Sequence, residues 1–308
     1  MELGGGQLSN RITALLLTHD RPRLATRSVQ MLRTDEMLSP EEIFVGVNGD
    51  PRPYAALESE CTLIPLGANY GPAGGFARLF RIGLERTSSD FFYVCEDDIC
   101  LLSLPTNRLP LLTATFDSFR ETGLPIGGIA AYARTLDWKT GATTPHEPAS
   151  DDRFAFADAA AWGATLVDRH LLESGVLPDE GFFFAFEDFD FWLSANSSGF
   201  KLLVDQTAER AVTKQVTQAG RKVVFVDERP EDSNDAWRRF YEARNFWLMA
   251  VKHGYRRWLP YHLAKSVRRF QLSSDRKARR AIVLGLFDGL RGRSGIDARY
   301  LRKTGEFT

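Results

Sequence analysis

Three groups of residues in this 308-residue chain are of types that do chemistry. Glu96, Asp97 and Asp98 stand together directly after the apolar run FFYVC. Adjacent carboxylates repel one another and raise each other's pKa unless a cation is present. Hard cations such as Mg²⁺ and Mn²⁺ take oxygen ligands and commonly bridge to phosphate. The triplet therefore reads as a metal-diphosphate site. A solvated acidic turn is the plainer alternative, and the position after a strand favours the first. The second group is Glu187, Asp188 and Asp190, set among Phe182, Phe183, Phe184, Phe186, Phe189, Phe191 and Trp192. Aromatic surroundings desolvate a carboxylate and raise its basicity, which suits a general base. The alternative is a set of first-turn acids on the helix that follows, and Asp190 fits that reading. The third group is the Gly-rich stretch 67–78, which ends in Arg78. It is no P-loop, because it lacks the Lys-Ser/Thr ending that grips phosphate. Its glycines suit a tight turn and close backbone approach, and Arg78 suits a phosphate or carboxylate partner.

Strands must position these groups. In an open α/β sheet, ligands bind beyond the carboxyl ends of the strands. Residues 12–18 (ITALLLT) form a continuous apolar run, as expected for a strand buried on both faces. Thr18, His19, Asp20 and Arg21 follow it. Residues 43–47 (IFVGV) are a second strand, closed by the turn Asn48-Gly49-Asp50-Pro51. Residues 61–64, 91–95 and 126–133 are further strands, and 23–32, 72–85 and 109–120 are helices. The alternation predicts an α/β fold with a mostly parallel sheet. Residues 137–153, rich in Pro, Thr, Gly and Asp, read as a loop. From 236 onward the pattern is helical, with aromatics among arginines, and 273–308 is expected to be partly flexible. The division is then a tail (1–10), a catalytic unit (11–235) and a basic helical region (236–308).

The formal charge of −1 hides an asymmetry. Residues 1–235 carry 21 basic and 35 acidic side chains, whereas 236–308 carry 18 basic and 5 acidic. Arginines and lysines interleaved with aromatics suit docking on an anionic membrane surface. A solvated basic face, or one paired with the acidic front, is equally compatible. No nucleic-acid motif accompanies the charge, so nucleic acid is not an expected partner. No stretch reaches the ~20 apolar residues of a membrane span, and the polar, Gly-rich start has no signal-peptide core. Cys61, Cys95 and Cys100 are odd in number and lack metal-ligand spacing, which points to reduced thiols. A cytoplasmic location follows, with peripheral attachment to the inner face of the membrane as an extension of the charge pattern.

Taken in order, these motifs resemble a family 2 glycosyltransferase of the GT-A fold. LLLTHDRPRLATRSVQML is similar to that family's first strand and donor-binding turn, and ANYGPAGGFARLFRIGLE to its Gly-rich element. CEDD stands where the family has its Asp-x-Asp motif, and GFFFAFEDFDFWLSANSSGFKL resembles its base motif. RRFYEARNFWLMAVKHGYRRWLPY resembles the aromatic-x-x-Arg-Asn segment of galactofuranosyl- and rhamnosyltransferases. The resemblance implies an inverting transfer from a nucleotide-diphosphate sugar to a glycan or lipid-linked glycan in cell-wall or surface polysaccharide synthesis. It implies Mg²⁺ or Mn²⁺ bound by Asp98 with Glu96. It places the donor among Thr18, Asp20, Arg21, Asn48, Asp50, Asn69, Gly75, Arg78, Glu96 and Asp97. Asp188 would be the base, Glu187 its partner, and Trp162, Gly163 and Glu187 would face the acceptor. Many relatives supply a metal-binding His after the base helix. The matching stretch, 206–215, has none, so Arg210 or Lys214 takes its place toward the diphosphate.

Two other classes accommodate the same residues. Paired carboxylates among aromatics also suit a glycoside hydrolase, which needs no nucleotide. The missing His suits a non-catalytic nucleotide-sugar scaffold. Nucleotide binding separates the first from a transferase, and turnover separates the second.

Overall fold

All seven residues of β1 (Ile12–Thr18) are buried, and they alternate between two cores. Ile12, Ala14 and Leu16 face one side, with Leu15 and Leu17 on the other, as the period-2 pleat requires. The computed structural model describes residues 11–148, 152–218 and 236–300. The expected tail (1–10) and the expected domain boundary near Asp235 lie outside them. Around β1 run α1 (Pro22–Thr34), β2 (Ile43–Val47), β3 (Thr62–Pro65), α2 (Gly71–Arg86), β4 (Phe91–Glu96), α3 (Leu109–Thr122) and β5 (Ile126–Ala130). Then come β6 (Arg134–Leu136), β7 (Thr143–Pro145), β8 (Phe154–Ala157), β9 (Thr165–Asp168), α4 (Arg169–Glu173), α5 (Glu187–Ser197), β10 (Lys201–Asp205) and α6 (Gln206–Gln218). The chain closes with α7 (Ala236–Lys252), α8 (Leu259–Leu272) and α9 (Arg276–Leu290).

Eight strands form one sheet in the order β3-β2-β1-β4-β9-β5-β10-β8. Strands β3, β2, β1 and β4 are parallel, as are β5 and β10. Strand β9 runs antiparallel between β4 and β5, and β8 antiparallel at the far edge. Helices α1 and α3 cover one face through Ala25, Val29, Leu32, Leu112 and Phe116. Helices α2 and α5 cover the other through Phe76, Leu79, Phe80, Phe191 and Trp192. The α/β expectation with a mostly parallel sheet therefore holds. Strand order reverses direction between β1 and β4, which is the topological position where open sheets bind ligands.

Two expectations need correction. The fifth strand stops at Ala130, because Ala131 and Ala133 leave the sheet to bond the Ala164 carbonyl and the Glu209 carboxylate. The presumed loop at 137–153 contains β7, which pairs with β6 as a hairpin. Asp158 steadies that hairpin by accepting from the Leu136 amide and the Trp138 indole. The helical pattern expected from 236 onward continues past 273 in the 15-residue helix α9, capped by Asp275, and residues 301–308 of the stretch expected to be partly flexible lie outside the described ones.

The basic C-terminal helices are packed into the front half. Phe246, Met249, Ala250 and Trp258 share one apolar cluster with Ala73, Phe182 and Leu193. Phe240, Tyr241 and Ala281 form another with Phe183. Among the described residues, no helix is long and apolar enough to cross a membrane.

Candidate active site

The turn after β1 is knitted to the turn after β4. Thr18 Oγ1 donates to Asp97 at 2.7 Å and lies 3.1 Å from the Tyr54 hydroxyl. Arg21 holds both Asp97 and Asp98: its Nε donates to Asp97 at 3.1 Å and Nη1 to Asp98 at 3.3 Å. Asp97 is wholly buried, and burial raises its pKa to about 6 against the pull of Arg21. Asn48, also buried, ties β2 to the Gly-rich turn: Nδ2 donates to the Gly71 carbonyl at 2.9 Å, and Oδ1 accepts from the Tyr70 amide. His19 joins three of the turns by meeting the Asn48 carbonyl, the Asn69 amide group and Asp20.

Several residues expected around the donor have partners within the protein. The side chains of Thr18, Asn48 and Asp97 are buried and engaged within the protein, so they shape the turns from beneath. A Cβ on Gly75 would lie 2.6 Å from the Leu17 side chain, so this glycine serves the close packing of α2 on β1. Asp50 is exposed and paired with Arg52. Arg78 lies over the Tyr70 ring, 3.5 Å from its centroid, and is ion-paired with Glu180. Asp20 is exposed at φ 53°, and the half-buried Asn69 meets His19. Arg210 and Lys214 project from α6 and are absent from the lining of the cleft described next.

A cleft of about 330 Å³ brings together residues far apart in sequence. Glu96 enters from the end of β4, Trp162 from before β9, and Glu187 and Asp188 from the first turn of α5. Helices α7 and α8 close it with Glu242, Phe246, Tyr261, His262, Lys265 and Arg269. The expected acceptor residue Gly163 sits under Tyr132: a Cβ there would lie 2.1 Å from the tyrosine hydroxyl.

The acids in the cleft are held by a strained loop. Phe183, Ala185 and Phe186 adopt φ of 61°, 66° and 67°. Such conformations are costly for side-chain-bearing residues and persist only where the surroundings fix them. Here α7 fixes them. Asn245 Nδ2 donates to the carbonyls of Phe182 (2.7 Å), Phe184 (2.6 Å) and Ala185 (3.0 Å). Arg244 donates to those of Gly181 and Phe182. On the other side, Gly71 sits at φ 66°, and a Cβ there would meet the Phe183 carbonyl oxygen at 2.0 Å. The loop releases the chain at Phe186, so the acids fall on the positive end of the α5 dipole.

Those acids differ in use. Asp190 is spent on structure: it accepts from Lys252 at 2.7 Å and lies 2.8 Å from His253 Nε2. Burial, followed by the charge of Asp188, pushes Glu187 well above the carboxylate range. Burial also raises Asp188, opposed by the amide of Phe189 and the charge of Arg134. Burial and the neighbouring Asp98 charge raise Glu96. Glu187 Oε2 and Trp162 Nε1 are buried and have no hydrogen-bond partner among the described residues. Buried polar atoms are nearly always satisfied, so these two point to a polar ligand in the cleft.

Among the described residues, no three His, Cys, Asp or Glu side chains converge as a metal cage. Glu96 and Asp98 do supply two mutually repelling carboxylates. That pair fits a Mg²⁺-like ion, which commonly takes one or two carboxylates and completes its shell with phosphate and water.

Sequence reasoning missed the far wall of the cleft. Glu242, Lys265 and Arg269 belong to a stretch read as a docking surface, and Arg134, which donates to the lining residue Thr143, to a segment given no role. His262 belongs to this wall too. Its ring stacks on Phe246 with centroids 4.2 Å apart, and Nε2 lies 3.1 Å from the Ala243 carbonyl, to which the neutral ring donates. Burial lowers its pKa to about 4, from an ordinary value near 6.5. Between these values the unfolded chain binds a proton that the folded chain refuses. Stability contributed by His262 is therefore full above pH ~6.5 and falls as pH drops toward ~4, by on the order of 3 kcal/mol. In calorimetric melts the wild type should lose more stability across that window than His262→Phe. Parallel curves would contradict a buried neutral imidazole.

No family model matches the chain, and no curated protein does. Solved structures resemble it distantly. A crystal structure of GalNAc-T7 with UDP, GalNAc and Mn²⁺ aligns with a TM-score of 0.48 at 14% identity, over 63% of this chain. The chain spans 42% of the length of that structure. A crystal structure of S. aureus TarS 1-349 aligns with a TM-score of 0.44 at 10% identity, over 92% of each chain. Neither likeness is close enough to assign an activity.

Proposed function

We propose that this chain is an inverting glycosyltransferase, moving a sugar from a nucleotide-diphosphate donor to a hydroxyl of a glycan or lipid-linked glycan. One observation carries the reading: Glu96, Glu187, Asp188 and Trp162 face a single cleft in which two buried polar atoms await a partner. The motif order that resembles family 2 glycosyltransferases supports it.

In this reading the acceptor oxygen attacks the anomeric carbon while its proton passes to the Asp188 carboxylate. The bond to the diphosphate oxygen breaks on the opposite face, and its electron pair leaves with the nucleoside diphosphate. Glu187, held protonated by burial, donates a hydrogen bond that orients the acceptor. Against burial, the Phe189 amide and then the charge of Arg134 favour the ionised form of Asp188. Arg21 fixes the Asp97–Asp98 turn in place. A divalent cation on Asp98 and Glu96 would neutralise charge on the leaving diphosphate. The resemblance favours galactofuranose or rhamnose as the sugar, with cell-wall or surface polysaccharide as the product.

A thermal-shift panel of nucleotide sugars, with and without Mg²⁺ or Mn²⁺, tests the donor class. A donor at a hundred times its Kd should add about 2.7 kcal/mol of stability. A flat response to every nucleotide sugar under both conditions would contradict the proposal.

Peripheral membrane attachment is part of the same reading. Leu263, Val267, Phe270 and Leu272 on α8, and Phe287 and Leu290 on α9, are exposed among Arg268, Arg276, Lys277, Arg280 and Arg291. Apolar side chains set among cations suit an anionic bilayer. The protein should sediment with anionic liposomes at low salt and release at high salt. Equal sedimentation with neutral liposomes would remove the electrostatic part of this account.

A further inference from the structure

The cleft has two chemically opposite sides. Glu96, Glu187 and Asp188 form one, and α8 supplies the other with Tyr261, His262, Lys265 and Arg269 on one helical face. His262 is neutral. Arg269 Nη1 donates to Glu242 at 2.6 Å, and Glu242 also accepts from Arg239 at 3.1 Å, so that single carboxylate is shared by two guanidiniums. Among the described residues, the Arg134 guanidinium donates to the hydroxyl and carbonyl of Thr143, itself a lining residue. Lys265 forms no ion pair among the described residues. Its ammonium is disfavoured by burial and by the charge of Arg269, favoured in part by Glu242, and disfavoured again by Arg134, so three cations share the neighbourhood of one carboxylate. Like charges gathered at a partly desolvated wall repel, and an anion seated between them relieves that repulsion.

We infer that the acceptor carries an acidic group, a phosphate or a carboxylate, close to its reacting hydroxyl, and that Lys265 with Arg269 and Arg134 binds it. This rests on the glycosyl-transfer reading for the word acceptor; the anion site itself stands on the wall. Its place differs from that of the donor diphosphate, which belongs beside Asp98 and Arg21 at the ends of β1 and β4. Arg134 then has two partners, the acid of the acceptor and the Asp188 carboxylate. That arrangement brings a correctly charged acceptor up to the base and leaves a neutral one loosely held.

Titration calorimetry with methyl phosphate, methyl glucuronoside and methyl glucoside tests this on the full chain, with and without saturating nucleoside diphosphate. The two acids should bind at least about tenfold more tightly than the neutral sugar, as a charge-assisted contact predicts. Which acid binds more tightly distinguishes a phosphate from a uronate acceptor. Lys265→Gln, with a melting curve matching the wild type, should erase the preference, and Lys265→Arg should retain it. Binding should persist when nucleoside diphosphate is present. Equal binding of acids and neutral sugar, an unchanged preference in Lys265→Gln, or displacement of the acids by nucleoside diphosphate would each overturn the inference. Acid binding as described, in a protein that turns over no nucleotide sugar, would uphold the anion site and sink the transfer reading. Transfer with equal KM for acidic and neutral acceptors would do the reverse.

Discussion

Asp188→Asn should abolish sugar transfer, lowering kcat by roughly 10²–10⁴-fold, while the thermal stabilisation given by the donor persists. The amide keeps the size of the carboxylate and its bond to the Phe189 amide, which Asp188 Oδ1 accepts at 2.8 Å. It removes only the ability to take a proton. Glu187 cannot substitute, because its burial, the largest cause of its raised pKa, is untouched by the loss of the Asp188 charge. Parallel measurement of kcat and of donor-induced melting shift separates loss of chemistry from loss of binding. Wild-type kcat in this variant would remove Asp188 as the base.

Cutting the chain after residue 235 should destroy the fold of the site, not release a working catalytic unit. Charge alone suggests a docking appendage there, but the helices are structural. The cut removes the buried Phe240, Tyr241, Phe246, Met249 and Trp258 from two cores. Each buried side chain of this size contributes about 1.5–3 kcal/mol. Together they rival the 5–15 kcal/mol of net stability typical of a whole protein. The cut also frees the three carbonyls that Asn245 holds, at a loop whose backbone is strained without them. The fragment should show no cooperative melt and no transfer activity. A fragment that melts cooperatively and turns over donor would contradict the integral role given to α7 and α8.

Local signals were legible in sequence. The runs ITALLLT, IFVGV and FFYVC are strands because a sheet covered on both faces demands continuous apolar residues, and their ends bring out Thr18, Asn48 and Glu96. The acidic clusters could be seen because each is contiguous. Strands β8 and β9 were missed, since four-residue antiparallel strands carry too few residues to show a period. The far wall of the cleft was missed for a different reason. Glu242, Lys265 and Arg269 come to the same cleft as the acids only through tertiary packing, and in sequence their charges are indistinguishable from a solvated face. The strain at residues 183–186 was equally hidden, because phenylalanines at positive φ violate local preference and distant partners, Gly71, Arg244 and Asn245, account for them.

The central claim is that one cleft couples departure of a nucleoside diphosphate to formation of a glycosidic bond. The most direct measurement is the stoichiometry of an incubation with a panel of nucleotide sugars and acidic glycan acceptors. The account predicts one nucleoside diphosphate released for each acceptor glycosylated, with inverted anomeric configuration by NMR. Hydrolysis of a simple glycoside while every nucleotide sugar stays intact would contradict it, and would assign the same carboxylates to a glycoside hydrolase.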